Sequence, residues 1–360
     1  MDKILTIIIP TYNMEKYLRH CLDSLIVPNM EKVEVLVIND GSKDSSSAIG
    51  HEYQDKYPQT FRIIDKENGN YGSCVNRGLK EATGKYVKVL DADDSFAKEA
   101  FSDFIDKLLK VDSDMILTDF VTVDEFGKET SRSIYSKSYP DMPQDVVFGF
   151  TDYLNQPNHT FYGQMHGFTY RTQMVKNMRY HQTEGISYTD QEWVFMPVTK
   201  VNTCIYLPLV LYRYLVGRNG QTMQNVGKSI QQLISVIFSL IDFYSIHKNE
   251  ILSYKKYLLH QAKLQIGFVY QLALYDRAVD LDTLRSFDNR LSKYGEFYHE
   301  VDNDVYDGKP FNLKYISYWR KHQSSPLPDQ YIVAKKIKSI VAPPIKKLLR
   351  LLLPTTEKNS

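Results

Sequence analysis

The chain has 360 residues, room for two or three domains, and its 43% hydrophobic and 24% charged content is ordinary for a soluble globular protein. A net charge of +1 gives no reason to expect a bulk polyanion, nucleic acid included, as partner. The 3 cysteines, at 21, 74 and 204, show no Cys-x-x-Cys spacing, so neither a zinc site nor a disulfide framework is indicated and a reducing compartment fits.

Met1-Asp2-Lys3 leads into a short apolar run rather than a secretory leader, and no run approaches the roughly 18 apolar residues of a spanning helix. Residues 4–9 form a nearly continuous apolar strand, the pattern of a parallel strand buried on both faces. Pro10 to Asn13 end it, and Asn13 can cap a helix that places Tyr17, Leu18, Cys21, Leu22 and Leu25 on one face. A second strand, 33–38, runs into Asn39-Asp40-Gly41-Ser42, and Asp44 caps the next helix. A third, 61–64, leads to the glycine-rich loop 67–72 and a helix over 73–83, closed by Gly84.

The fourth strand, 86–90, ends in Asp91, Ala92, Asp93 and Asp94. Like charges held together raise one another's pKa. A hard divalent cation, Mg²⁺ or Mn²⁺, relieves that repulsion and grips a diphosphate. The same run also reads as an acidic turn capping the next helix. A helix over 97–110 and a strand over 115–118 follow. This alternation predicts a doubly wound parallel sheet whose strand ends bring Tyr12, Asp40, Gly72 and 91–94 to one crevice. No Gly-x-Gly-x-x-Gly follows a strand, and Gly78 with Gly84-Lys85 misses the P-loop spacing by one residue, so phosphate binding falls to the metal and loops.

Residues 120–165 are polar, aromatic and irregular. Tyr188 to Trp193 open a helix with acids Asp190 and Glu192 in its first turn, which is also ordinary charge placement. Residues 205–214 read as a strand interrupted by Pro208, followed by Arg218 in a turn. From 228 to 292 the chain is helical and amphipathic. The segment 331–356 has no acid and sets Lys335, Lys336, Lys338, Lys346, Lys347 and Arg350 against an apolar stripe. That is the composition of an interfacial helix on an anionic membrane, or of a helix docked on the protein's own core. The expected division is 1–222, 223–330 and the tail 331–360.

The motifs TIIIPTYNMEKYLRHCLDSL, VEVLVINDGSKDSS, ENGNYGSCVNRGLKEATGKYVKVLDADD and TDQEW, in this order, closely resemble family 2 glycosyltransferases. The resemblance is continuous over residues 4–120 and patchy to 222. It implies a GT-A fold, a Rossmann-like, mostly parallel α/β sheet with an appended C-terminal helical region. It also implies inverting transfer from a nucleotide-diphosphate sugar, with Mn²⁺ or Mg²⁺. By motif, Pro10 and Tyr12 would lie against the base, and Asp40 would accept from the uracil ring N–H, favouring a UDP-sugar. Asp91 would contact ribose or a metal-bound water, Asp93 the metal, and Asn76 the donor site. Asp190 would be the catalytic base, and Arg218 could pair with phosphate, though a solvated turn arginine is an equal reading.

Val75 stands where the family commonly has Arg, and Thr189 where it has Glu. The Gln-x-x-Arg-Trp signature of processive polymerases is missing, which implies single addition. The expected partners are a nucleotide-sugar donor and a glycan or lipid-linked acceptor. The expected place is the cytoplasmic face of the cell membrane, held peripherally through 331–360, in surface-polysaccharide synthesis. An inactive nucleotide-sugar-binding or scaffold protein is the alternative. A hydrolase using Asp190 and Glu192 is disfavoured, because two residues apart at a helix start they point in different directions.

Overall fold

A computed structural model of the chain describes residues 2–157, 159–218, 229–274, 276–301 and 315–324. The basic tail and most of the turn that follows Arg218 lie outside the described residues.

The strands are β1 (Leu5–Thr11), β2 (Val33–Asn39), β3 (Phe61–Asp65), β4 (Tyr86–Val89), β5 (Ser95–Phe96), β6 (Met115–Val123), β7 (Glu129–Ser133), β8 (Val147–Gly149), β9 (Phe168–Arg171) and β10 (Thr203–Leu215). They form one sheet in the order β3-β2-β1-β4-β9-β6-β10-β5, with β7 on β6 and β8 on β10. The first half, β3-β2-β1-β4, is parallel, as is β6 with β10. β9 is inserted antiparallel to both β4 and β6. The sheet is therefore mixed, mostly parallel along its main path as the GT-A resemblance implies, with β9 as an antiparallel insert. Two reversals still leave β1, β2, β4, β6 and β10 pointing the same way, so their C-terminal ends share one edge.

Helices α1 (Leu18–Asp23), α2 (Ser46–Lys56), α3 (Asn70–Glu81) and α4 (Lys98–Leu108) alternate with the first strands. Leu5, Ile7 and Ile9 of β1, Val35 and Val37 of β2 and Phe101, Phe104 and Ile105 of α4 are buried in one core, as the continuous apolar runs require.

Three local expectations are corrected. Pro10 does not end β1; the strand continues to Thr11, paired to β2. Backbone groups of successive strand residues face alternate neighbours. Ile8 C=O accepts from Leu90 N on the β4 side and Thr11 C=O accepts from Asp40 N on the β2 side. Pro10 therefore lacks its N–H on the β4 side, beyond the last pairing of Ile8 with Val89, where no ladder bond is forfeited. Asn13 does not cap α1: its Oδ1 accepts from Lys43 N at 2.8 Å, tying the ends of β1 and β2. Gly84 does not adopt a positive φ. Glycine is needed there because a Cβ would sit 2.5 Å from Thr6 N.

The remaining helices of the first unit are α5 (Tyr135–Ser138), α6 (Phe150–Leu154), α7 (Thr172–Asn177), α8 (Asp190–Phe195) and α9 (Ile230–His247). α10 (Lys255–Leu274) carries the chain out of it, and α11 (Leu281–Leu291), α12 (Gly295–Glu300) and α13 (Tyr315–His322) follow. The compact units are Met1–Ala262 and Lys263–Ser360, so the expected boundary at 222/223 falls inside the first. The reason is α9, whose apolar residues Leu233, Val236, Ile237, Leu240 and Ile241 are buried and which meets α8. By length and composition α9 is apolar enough to cross a bilayer, against expectation, but half of it is buried inside the protein. In the second unit, Arg320 of α13 donates to Asp288 of α11 at 2.9 Å and lies over the Tyr298 ring of α12.

Candidate active site

The acidic turn after β4 is the centre of the crevice. Asp91, Asp93 and Asp94 each offer an oxygen, all within 4.8 Å of one another. Their partners separate their roles. Asp94 is 1% exposed and accepts from Tyr212 Oη at 2.6 Å and from Leu215 N at 2.7 Å, which fastens the turn to the end of β10. Asp91 Oδ1 accepts from the Tyr71 hydroxyl at 2.9 Å. Asp93 is paired with Arg218, whose guanidinium also lies 5.4 Å from the Tyr17 ring centroid. The Arg218 side chain is only 13% exposed, so it is not a solvated turn residue.

Burial, and then the charge of Asp93, push the Asp91 carboxyl up to about 7. Burial and the charges of Asp93 and Asp91 likewise push Asp94 well up. Three acids share one guanidinium, so ionising all of them would leave charge that Arg218 alone does not neutralise. An all-oxygen donor set with surplus charge fits a hard cation such as Mg²⁺ or Mn²⁺.

On the donor side, Asp40 is 2% exposed and its Oδ1 accepts from Lys66 Nζ at 2.5 Å and Gly69 N at 3.0 Å. Lys66 also donates to Ser73 Oγ at 2.8 Å. Sequence reasoning missed Lys66, although a cation ending β3 beside an acid ending β2 was a readable signal. Pro10 is buried opposite Ile38, and Tyr12, 47% exposed at the lip, follows Thr11, whose carbonyl accepts from Asp40 N at 2.8 Å. Asn76, expected at the donor site, is engaged by a neighbouring loop. Its Oδ1 accepts from Gln182 N at 2.8 Å, and its Nδ2 donates to Gln182 O at 2.8 Å and Glu184 at 2.9 Å. Both ends of this amide are held by the 181–184 loop. Gly72 completes that contact: a Cβ there would meet Thr183 O at 2.0 Å.

That loop leads to Asp190, which begins α8 after Tyr188 in a left-handed conformation, φ 67°. Asp190 Oδ2 accepts from Gln191 Nε2 at 3.0 Å, and burial raises its carboxyl to about 6. Its charge acts on Asp91, Tyr71 and Tyr162, so it lies near the acidic turn while coming from a separate segment. Glu192 is unlike it. Fully buried, it accepts from Thr183 N (2.7 Å), Thr183 Oγ1 (2.6 Å) and Ser239 Oγ (2.8 Å), so it braces the loop against α9.

A third set of partners was not legible either. Lys88 of β4 is 0% exposed, has burial pushing it down to about 7, and donates to His166 O at 2.7 Å and Phe168 O at 3.1 Å. It thereby holds the turn 165–167 against β4, and Met165 of that turn touches the Tyr71 hydroxyl.

Residues 6–179 match the family model described as glycosyl transferase family 2. The chain is 29% identical over 245 residues to the glycosyltransferase GlyA of Streptococcus pneumoniae, covering 66% of this chain and 34% of that protein. It is 28% identical over 257 residues to the poly(ribitol-phosphate) β-N-acetylglucosaminyltransferase TarS of Staphylococcus aureus, covering 69% of this chain and 43% of TarS. The matched part thus spans well under half of either relative. The crystal structure of S. aureus TarS 1–349 in complex with UDP superimposes with a TM-score of 0.57 at 21% identity, over 89% of this chain and 87% of that one. This is a likeness of fold.

Proposed function

Because the chain belongs to glycosyl transferase family 2 and has the GT-A fold, we propose that it moves one sugar from a uridine-diphosphate donor to a glycan or lipid-linked acceptor, with inversion. The observation that carries this reading is the acidic turn at the end of β4 with Asp190, from a separate segment, acting on it, on the sheet edge where Asp40 follows β2. The complexes of TarS with UDP and UDP-GlcNAc support the choice of donor class.

Asp40 presents a carboxylate at the base site. Uracil N3–H donates to it, whereas cytosine N3 is an acceptor and is repelled. Lys66 keeps that carboxylate oriented. Asp93, with Asp91, would hold Mn²⁺ or Mg²⁺, which when bound neutralises the charge of the departing diphosphate. Arg218 is placed to exchange Asp93 for phosphate as donor arrives. Asp190 takes the proton of the acceptor hydroxyl as that oxygen forms its bond to the anomeric carbon. The bond from the anomeric carbon to the diphosphate oxygen breaks, and UDP leaves from the opposite face. Glu192 and Asn76 act through the loop they hold. Surface-polysaccharide synthesis at the inner membrane face is the setting we propose.

The test is release of UDP from UDP-sugars with and without Mn²⁺. Metal-dependent release, lost in Asp93→Asn, supports the reading. Tighter binding of CDP than UDP overturns the donor assignment, and absence of turnover with intact donor binding favours a nucleotide-sugar-binding protein.

A further inference from the structure

A groove of about 320 Å³ opens beside α5, lined by Ser138, Tyr139, Asp141, His159, Thr160 and His260. Among the described residues that line it there is no lysine or arginine. It offers hydroxyls, imidazoles, one carboxylate and the Tyr139 ring. These are groups that exchange hydrogen bonds with sugar hydroxyls and pack on a sugar's C–H face, without the fixed cation that a phosphate demands. His159 is 8% exposed, with Nδ1 3.6 Å from Asp141 Oδ2 and its ring 4.3 Å from that of Tyr153. Its Nε2 is buried with no hydrogen-bond partner, an unfavourable state that a ligand hydroxyl would relieve.

A chain of contacts runs from the wall of the groove toward the transfer site. The Tyr139 hydroxyl accepts from Tyr162 N at 2.9 Å. Thr160 and Tyr162 are two residues apart, so their Cα atoms are within about 7 Å. Tyr162 feels the charge of Asp190, and Met165 three residues on touches the tyrosine that holds Asp91.

We propose that this groove is a subsite for a neutral sugar residue of the acceptor, set back from the hydroxyl that receives the new sugar. The word acceptor rests on the transferase reading; sugar binding in the groove does not. The experiment uses the full chain. The imidazole NMR signals of His159, assigned with His159→Gln, are followed while cellobiose, maltose, N,N′-diacetylchitobiose or inorganic phosphate is added to millimolar concentration. At least one disaccharide shifts His159 saturably, and both Asp141→Asn and Thr160→Trp, at exposed wall positions, weaken that binding about tenfold or more. UDP binding stays unchanged in both. Saturation by phosphate alone, no response to any disaccharide, or undiminished binding in Thr160→Trp overturns the proposal. Disaccharide binding without any donor turnover keeps the groove as a sugar site and removes the transferase reading. Turnover without disaccharide binding does the reverse.

Discussion

At the scale of single residues, two carboxylates of the crevice carry opposite predictions. Asp190 must be ionised to accept a proton, and its carboxyl is raised to about 6, so turnover rises with pH through that value. Asp190→Asn lowers transfer by a factor on the order of 10² or more and removes that limb, with donor binding retained. An active Asp190→Asn enzyme with an unchanged pH–rate profile removes it as the base. Asp94 is a tether. Asp94→Ala strands Tyr212 Oη and Leu215 N, and denaturant unfolding should find it less stable by about 1–3 kcal/mol. Wild-type stability would mean the turn is held by something else. The sequence distinguished Asp190 from the DADD run by distance along the chain, but within that run only the resemblance, not the spacing, separated Asp91 from Asp93, and nothing marked Asp94 as a tether. Their roles depend on Tyr71, Tyr212 and Arg218, which lie 20, 118 and 125 positions from their partners.

At the scale of elements, the buried parallel strands were legible because each is a mostly apolar run, with single polar residues such as Thr6, Glu34, Arg62 or Lys88 inside it, that stops at a polar residue. Asp40 and Asp91 follow two of those runs and so fall on one edge. β9 was not legible: four residues of an antiparallel insert carry no periodicity, and the register with β4 and β6 decides it. A helix opening within Tyr188 to Trp193 is found as α8, Asp190–Phe195, yet its function as a brace was invisible, since Glu192 answers to Thr183 and to Ser239 of α9. Glu192→Gln keeps the volume but replaces a charge acceptor facing three donors. Thermal unfolding should show a loss of about 1–3 kcal/mol, with any fall in turnover restored by osmolytes that favour the folded state. If Glu192→Gln is as stable as wild type and loses transfer, while Asp190→Asn remains active, the base is Glu192.

At the scale of the whole chain, membrane association is expected to reside in 331–360, outside the described residues. Deleting that segment should release the protein from anionic vesicles while soluble UDP release continues. Each lysine or arginine near such a surface contributes about 1 kcal/mol, so the wild-type interaction should weaken as salt is raised. Vesicle binding that ignores salt, or a truncated chain that fails to fold, points to a docked helix instead. Lys88 has another use. It is an amine sealed in the sheet and poised near neutrality, with its reach spent on two backbone carbonyls. Acylating reagents should spare it while the surface lysines are labelled, and mark it only when β4 parts from the turn at 165–167. The rate at which this one amine is labelled is thus a built-in clock for the opening of the sheet beneath the crevice, readable by mass spectrometry on the unmodified protein. A donor that binds above should slow it.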